Sequence, residues 1–263
     1  MLENGVKSFR VLEARPRVGG RTFTKVDDNG NYVDLGASYV GPQQHYMQKI
    51  IKKLRLKTFK VNTKGLNSYL NKKRRFLHAC DSLPAMGSLV EMEVKYVFGL
   101  IERMCEEVPL DSPWSAAKAD EWDRITFGQF LDKHCWTEEA RQFISIYMGC
   151  CTSCESWESS LLWTLWFTKQ CDGLDVMFNI ENAAQDSKIV GGTQQISERL
   201  RKMIGAEERV LLKKPVSQIV YNRSGESNWP VTVSCLDGSS YHTKYVIMAI
   251  PFSLQVNFLR HYW

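Results

Sequence analysis

Near the end of the chain six residues, Tyr245-Val-Ile-Met-Ala-Ile250, form an unbroken apolar run that Pro251 stops. A run of that kind suits a parallel strand covered on both faces; a half-exposed strand would alternate. A second strand-like segment, Phe9-Arg-Val-Leu-Glu13, lies near the start and closes on an acid. Residues 210–212, 216–221 and 231–236 also read as strands, and Asp237-Gly238 has the chemistry of a hairpin turn. Both ends of the chain are therefore rich in β-structure.

The middle follows another period. Residues 86–171 are mostly helical. Apolar residues at 89, 90, 94, 97, 98, 101 and 104 predict one long helix, which Pro109 ends. Thr126-Phe-Gly-Gln129 has the form of a capping box, and Thr137-Glu-Glu-Ala starts a further helix with acids in its first turn. Ser156 or Ser159 is placed to cap a helix holding Leu161, Leu162, Leu165, Trp166 and Phe167, with Gly173 as its stop. Outside this block, Met47, Ile50, Ile51 and Leu54 mark an amphipathic helix, and Thr193 opens another with Ile196, Leu200 and Ile204 on one face. Residues 59–61 and 66–70 read as strands, and Lys72-Lys-Arg-Arg75 as a solvated hairpin turn. The order implies an α/β chain, a doubly wound nucleotide-binding domain interrupted by a helical one.

Composition narrows the function classes. The 263 residues are 44% hydrophobic and 24% charged, as in ordinary globular domains. A net charge of +5 is too mild to imply nucleic acid. No run of 18 apolar residues suggests a membrane span, and residues 1–10 have no secretory core. The eight cysteines are read as reduced, buried thiols. Cys151-x-x-Cys154 has no second pair and no histidine at ligand spacing, so no metal is assigned.

The string Glu13-Ala-Arg15-Pro-Arg17-Val-Gly19-Gly20-Arg21-Thr22 carries chemistry. An acid at a strand end accepts hydrogen bonds from ribose hydroxyls and repels a phosphate there. Adjacent glycines let backbone N–H groups approach a pyrophosphate, and Arg15 and Arg21 supply cationic donors. Residues 32–39 mix apolar positions with Gly36, as a strand or loop beside a bulky group would.

Leu12-Glu-Ala-Arg15 and Arg17-Val-Gly-Gly-Arg-Thr22 resemble the second dinucleotide motif of the flavin-containing amine oxidases. Tyr32-Val-Asp-Leu-Gly-Ala-Ser-Tyr-Val-Gly-Pro42 is similar to the segment that follows it in monoamine oxidases. Matches continue through Pro113-Trp114, Glu121-Trp-Asp123, Cys135-Trp-Thr137, Lys169-Gln-Cys171, Val190-Gly-Gly192 and Ser197-Glu-Arg199, and cover residues 9–254. Cys135-Trp-Thr137 and Lys169-Gln-Cys171 argue against a polyamine or amino-acid oxidase.

The resemblance implies FAD as cofactor, with Glu13 at the adenosine ribose, Gly19, Gly20, Arg21 and Thr22 at the pyrophosphate, and Ala14 and Arg15 among the other cofactor-binding residues. Gly36, Ala37, Ser38 and Tyr39 would lie under the isoalloxazine, Ala37 standing where the family has glycine. Val216 would approach the adenine. It implies a substrate cavity at Cys150, Cys151, Met177, Phe178 and Gln185. On chemistry alone the two cysteines also read as core thiols, Phe178 as core, and Gln185 as a surface loop residue. The implied organisation is a first FAD-binding part at 1–58, a helical substrate domain at 59–190 and a second FAD-binding part at 191–263. The implied reaction is oxidative deamination of primary arylalkylamines by dioxygen, giving aldehyde, ammonia and hydrogen peroxide. A homodimer at the mitochondrial outer membrane follows from the family; the chain by itself would be cytoplasmic.

The family's Gly-x-Gly-x-x-Gly turn would stand about twenty residues before Glu13. Its catalytic lysine, tyrosine pair, flavin-linking cysteine and membrane helix would follow Trp263, so no catalytic residue is assigned. The expectation is an incomplete sheet domain with exposed apolar edges at Val11-Leu12 and 246–250, and a chain that by itself binds no flavin. The alternative is a non-catalytic interaction or dimerisation fragment of an amine oxidase relative.

Overall fold

The structure, a computed structural model, describes residues 5–71, 75–221 and 228–259. Two units are distinguished. One is made of two separate segments, Met1–Ala37 and Gly191–Trp263; the other is Ser38–Val190.

In the first segment β1 (Val11–Leu12) is followed by the glycine loop and by β2 (Thr24–Val26) and β3 (Tyr32–Asp34), an antiparallel hairpin. The second unit opens with β4 (Tyr39–Val40), α1 (His45–Lys53) and β5 (Thr58–Lys60). The hairpin β6 (Leu66–Leu70) and β7 (Arg75–Ala79) follows. The basic turn joining them falls at Lys72 to Arg74, outside the described residues. Then come α2 (Ser88–Glu106), α3 (Ala119–Asp123), α4 (Phe127–His134), α5 (Glu138–Thr152), α6 (Leu161–Gln170), α7 (Leu174–Phe178) and β8 (Ser187–Ile189). β8 pairs with both β4 and β5. That shared strand ties β4 and β5 to the second unit, which begins at Ser38.

The chain then returns to the first unit as α8 (Gln194–Met203), α9 (Ala206–Arg209), β9 (Val210–Leu211), β10 (Val216–Tyr221), β11 (Val231–Cys235), β12 (Ser240–Thr243) and α10 (Phe252–Leu259). β10, β11 and β12 form an antiparallel meander, with Gly238 in its second turn as expected. β1 and β9 pair in parallel, Val11 opposite Val210 and Leu12 opposite Leu211.

The expected strand at 245–250 is absent. Those residues have no ladder, and Tyr245 and Ile247 are 85% and 71% exposed. A strand covered on both faces needs neighbouring strands, and no partner strand stands beside this run among the described residues. Val11 is exposed as well.

The helical core follows its sequence pattern. Val94, Val97 and Ile101 on one face of α2 pack with Phe143 and Ile144 of α5 and Leu161 and Leu165 of α6, all fully buried. The capping box at Thr126 is complete, and the Thr137 hydroxyl accepts from the Ala140 N–H. The cap of α6 is Ser160 and neither Ser156 nor Ser159, its hydroxyl accepting from the Trp163 N–H at 3.2 Å. Lys169, in the last turn of α6, donates to the Val108 and Glu106 carbonyls and so satisfies the end of α2.

One buried charge locks this core. Glu93 of α2 is 0% exposed. Its carboxylate accepts from the backbone N–H groups of Trp136 and Thr137 and from the Thr137 hydroxyl at 2.7 Å. The start of α5 is thereby fixed onto α2. Glu93→Ala removes three acceptor contacts and leaves a cavity, and the second unit should lose about 2–3 kcal/mol in urea unfolding.

Candidate functional site

The glycine loop is shaped by backbone needs. β1 runs into Glu13, the next residue, whose N–H donates to the Leu211 carbonyl and whose carbonyl accepts from the Lys214 N–H, both at 2.9 Å. The Glu13 carboxylate accepts from the Arg15 N–H at 2.8 Å, turning the chain sharply at Ala14. At Gly19 φ is +104°, and the Gly19 carbonyl accepts from both the N–H and the hydroxyl of Thr22. A Cβ there would stand 2.5 Å from the Thr22 carbonyl oxygen, so this turn requires glycine. Arg17 braces the loop, donating to the Val18 and Gly20 carbonyls and lying 4.2 Å over the Phe23 ring.

The stretch at Gly36 is held as tightly. Leu35 and Ala37 donate to the Phe23 and Arg21 carbonyls, continuing the pairing of β2 with β3. A Cβ on Gly36 would meet the Arg21 carbonyl oxygen at 1.9 Å. Asp34 anchors the base of this hairpin. Its carboxylate accepts from the Thr24 hydroxyl at 2.5 Å and from the Thr193 N–H at 3.1 Å. The Thr193 hydroxyl donates to the Ala37 carbonyl at 2.7 Å, so it serves the loop and does not cap α8. Gln194 and Thr24 exchange two further bonds.

The loop and the hairpin together line an open cavity of about 790 Å³. Of the residues expected at a flavin, Arg15, Gly20, Arg21, Thr22, Gly36 and Ala37 line it. Arg17 joins them, making three guanidinium groups on one wall. Arg17 stood in the motif without a role, because which side of the loop it faces depends on the turn at Gly19. Glu13, Ala14 and Gly19 lie in or beside the turn that shapes the wall, and Val216 begins β10, opposite Cys235. Ser38 and Tyr39 belong to the second unit, where Tyr39 is exposed under the Lys188 ammonium. Arg15 and Arg21, with the backbone of Gly20 and Gly36 beside them, fit the diphosphate of a dinucleotide.

In the second unit Cys150 and Cys151 occupy the last turn of α5, and Met177 and Phe178 end α7. Met177 is buried in the helical core, and Phe178 packs edge-on to Tyr147 at 5.3 Å and against Phe98 at 5.6 Å. Tyr147 and Phe98 come from different helices, and no local pattern marks them as neighbours of Phe178. Gln185 is half-buried in a loop pinned at both ends. Asp81 accepts from the Ile180 and Glu181 N–H groups, and buried Asp186 accepts from Lys60, Ser187 and the Asn182 N–H. The Asp186 carboxyl is held below its ordinary value by these donors against the opposing effect of burial.

The thiols differ from the uniform reading of buried cysteines. Cys150 is exposed, whereas Cys151 packs against the core. Burial, with Cys150 and Cys171 nearby, pushes the Cys151 thiol up to about 11; burial raises Cys135 to about 11 and Cys105 to about 12. All three therefore stay protonated at neutral pH. Iodoacetamide should label Cys150 well before Cys105, Cys135 or Cys151, as peptide mass spectrometry would read. A thiol ionises at 9.0 in its ordinary setting, so an unfolded chain releases these protons first as pH rises. The stability they contribute is present below pH 9.0 and should fall from there to about pH 12, seen as a declining melting temperature.

Residues 1–256 match the family described as flavin containing amine oxidoreductase. The chain is 39% identical over 244 residues to flavin-containing amine oxidase B of Rattus norvegicus, covering 93% of this chain and 46% of that protein. It is 38% identical over 241 residues to flavin-containing amine oxidase A of Bos taurus, covering 92% and 44%. The chain thus spans about half the length of the curated relatives it matches. Among solved structures, a wild-type putrescine oxidase bound to putrescine aligns with a TM-score of 0.86 at 25% identity, over 98% of this chain and 56% of that one. A cyclohexylamine oxidase from Brevibacterium oxydans shares the fold, with a TM-score of 0.87 at 23% identity over 98% and 55%. By sequence and by fold, this chain belongs to the flavin containing amine oxidoreductase family, whose cofactor is FAD.

Proposed function

We propose that this protein takes part in FAD-dependent oxidation of primary arylalkylamines to aldehyde, ammonia and hydrogen peroxide. The observation that carries this reading is the cavity walled by Arg15, Arg17 and Arg21 between Gly20 and Gly36, in a chain of this family. When bound, the flavin supplies the redox chemistry, accepting a hydride equivalent from the amine and passing electrons to dioxygen.

The chain's own residues bind and orient. Arg15 and Arg21 offset the charge of the pyrophosphate, while Arg17 holds the loop in its binding shape. Glu13 keeps one carboxylate oxygen on the Arg15 N–H and offers the other to a ribose hydroxyl. Gly19 and Thr22 set the turn, Val216 serves the adenine, and Gly36, Ala37, Ser38 and Tyr39 serve the flavin ring. Cys151, Met177 and Phe178 give the substrate side an apolar wall that excludes water, and Cys150 lies at its edge. Gln185 orients the aromatic end of the amine from its pinned loop. In domain terms, Met1–Ala37 and Gly191–Trp263 form the cofactor unit and Ser38–Val190 the substrate unit.

A homodimer at the mitochondrial outer membrane belongs to the same proposal, on the strength of the resemblance to monoamine oxidases. No helix of the described residues is long and apolar enough to cross a membrane.

The test uses the gene product captured from its source cells with an antibody to this chain. It should carry FAD, bleach when a primary arylalkylamine is added without oxygen, and release peroxide once air is admitted. A captured product without flavin would sink the reading. In the recombinant gene product Glu13→Ala should weaken FAD retention about tenfold, read by equilibrium dialysis.

A further inference from the structure

A second cavity, of about 440 Å³, opens between residues 16–18, α8 and Leu212, all within the first unit. Three cations line it, Arg17, Arg201 and Lys202, against one carboxylate, Glu198. Glu198, Arg201 and Lys202 fall at i, i+3 and i+4 on α8 and share one face. Despite that spacing, Glu198 forms no ion pair with either cation among the described residues. The cavity therefore carries an excess of positive charge that no ion pair among the described residues offsets.

Arg201 carries the argument further. Its Nε is buried and meets no acceptor among the described residues. A buried guanidinium N–H is rarely left unmade, and its natural complement is an oxygen anion taken in fork geometry. Arg17 stands opposite as a fixed cation, its guanidinium held by the Val18 and Gly20 carbonyls and the Phe23 ring. Lys202 is exposed at the mouth, where an ammonium adds charge without demanding direction. Pro16, Val18 and Leu212 supply apolar wall. The volume is several times that of an inorganic oxyanion and lies in the range of small-molecule sites.

We infer that this cavity is a phosphate-binding site, separate from the flavin cavity, that takes a phosphate dianion either free or as the monoester of a small apolar group. Only Arg17 is common to the two cavities; Arg15, Arg21, Gly20 and Gly36 line the flavin side alone. The inference goes beyond amine oxidation and does not depend on flavin being bound.

Isothermal titration of the 263-residue chain in chloride buffer, with inorganic phosphate and with phenyl phosphate, tests it. One saturable event is expected. Tighter binding of phenyl phosphate identifies the ester as the ligand class, and equal binding identifies the free ion. Arg201→Gln and Lys202→Gln should each weaken the event about tenfold, while Arg21→Gln leaves it unchanged. Lys202 is exposed, so its variant keeps the fold even if the Arg201 variant does not; circular dichroism checks both. No saturable binding of either probe, binding indifferent to Lys202→Gln, or binding abolished by Arg21→Gln would overturn the site. The last outcome would place the phosphate in the flavin cavity instead.

Discussion

The Asp34 carboxylate joins two parts of the chain that the sequence keeps far apart. It holds Thr24 across the β2–β3 hairpin and the Thr193 N–H at the entrance to α8. With the two-residue pairing of β1 and β9 and the exchange between Thr24 and Gln194, it closes a unit whose two segments are separated by residues 38–190. Ordering so long an intervening chain is costly in entropy, although the cost grows only logarithmically with length. Folding of the intervening residues into their own core shortens the effective loop. The cavity lined by Arg15, Arg21 and Gly36 depends on this closure, because the Thr193 hydroxyl holds the Ala37 carbonyl beside Gly36.

What could be read from sequence divides along the same line. The helices of the second unit follow from periodicity, and the caps at Thr126 and Thr137 fall where their residue types put them, because a cap is a bond between residues three apart. Ser160 was missed for a neighbouring serine, since three serines in five positions offer the same chemistry. The run at 245–250 has the pattern of a covered strand but no ladder, because periodicity reports what a segment would bury and not whether a partner strand stands beside it. At the site, Gly19 and Gly36 were legible as glycines, but the reasons for them lie in contacts with Thr22 and Arg21 that only the folded loop shows. Arg17, Tyr147 and Phe98 act across turns and between helices, where no spacing rule reaches.

The two units use charge differently. In the second, Glu93 and Asp186 are buried and saturated with donors, so each acts as a fixed cross-link between segments distant in sequence. In the first, Arg15, Arg21 and Arg201 stand around cavities, whereas Arg17 has donors on the Val18 and Gly20 carbonyls. Saturated charges specify a packing, whereas charges with donors to spare specify a ligand.

The parallel pairing of β1 with β9 also has a consequence for synthesis on the ribosome. Val11 and Leu12 are made almost 200 residues before Val210 and Leu211, their partners in β9. At 5–20 residues per second that is a wait of roughly 10–40 s, long enough for the helical core to form in between. During that interval Val11 and Leu12 wait without β9, so the nascent glycine loop is a natural client for a chaperone until α8 and β9 arrive.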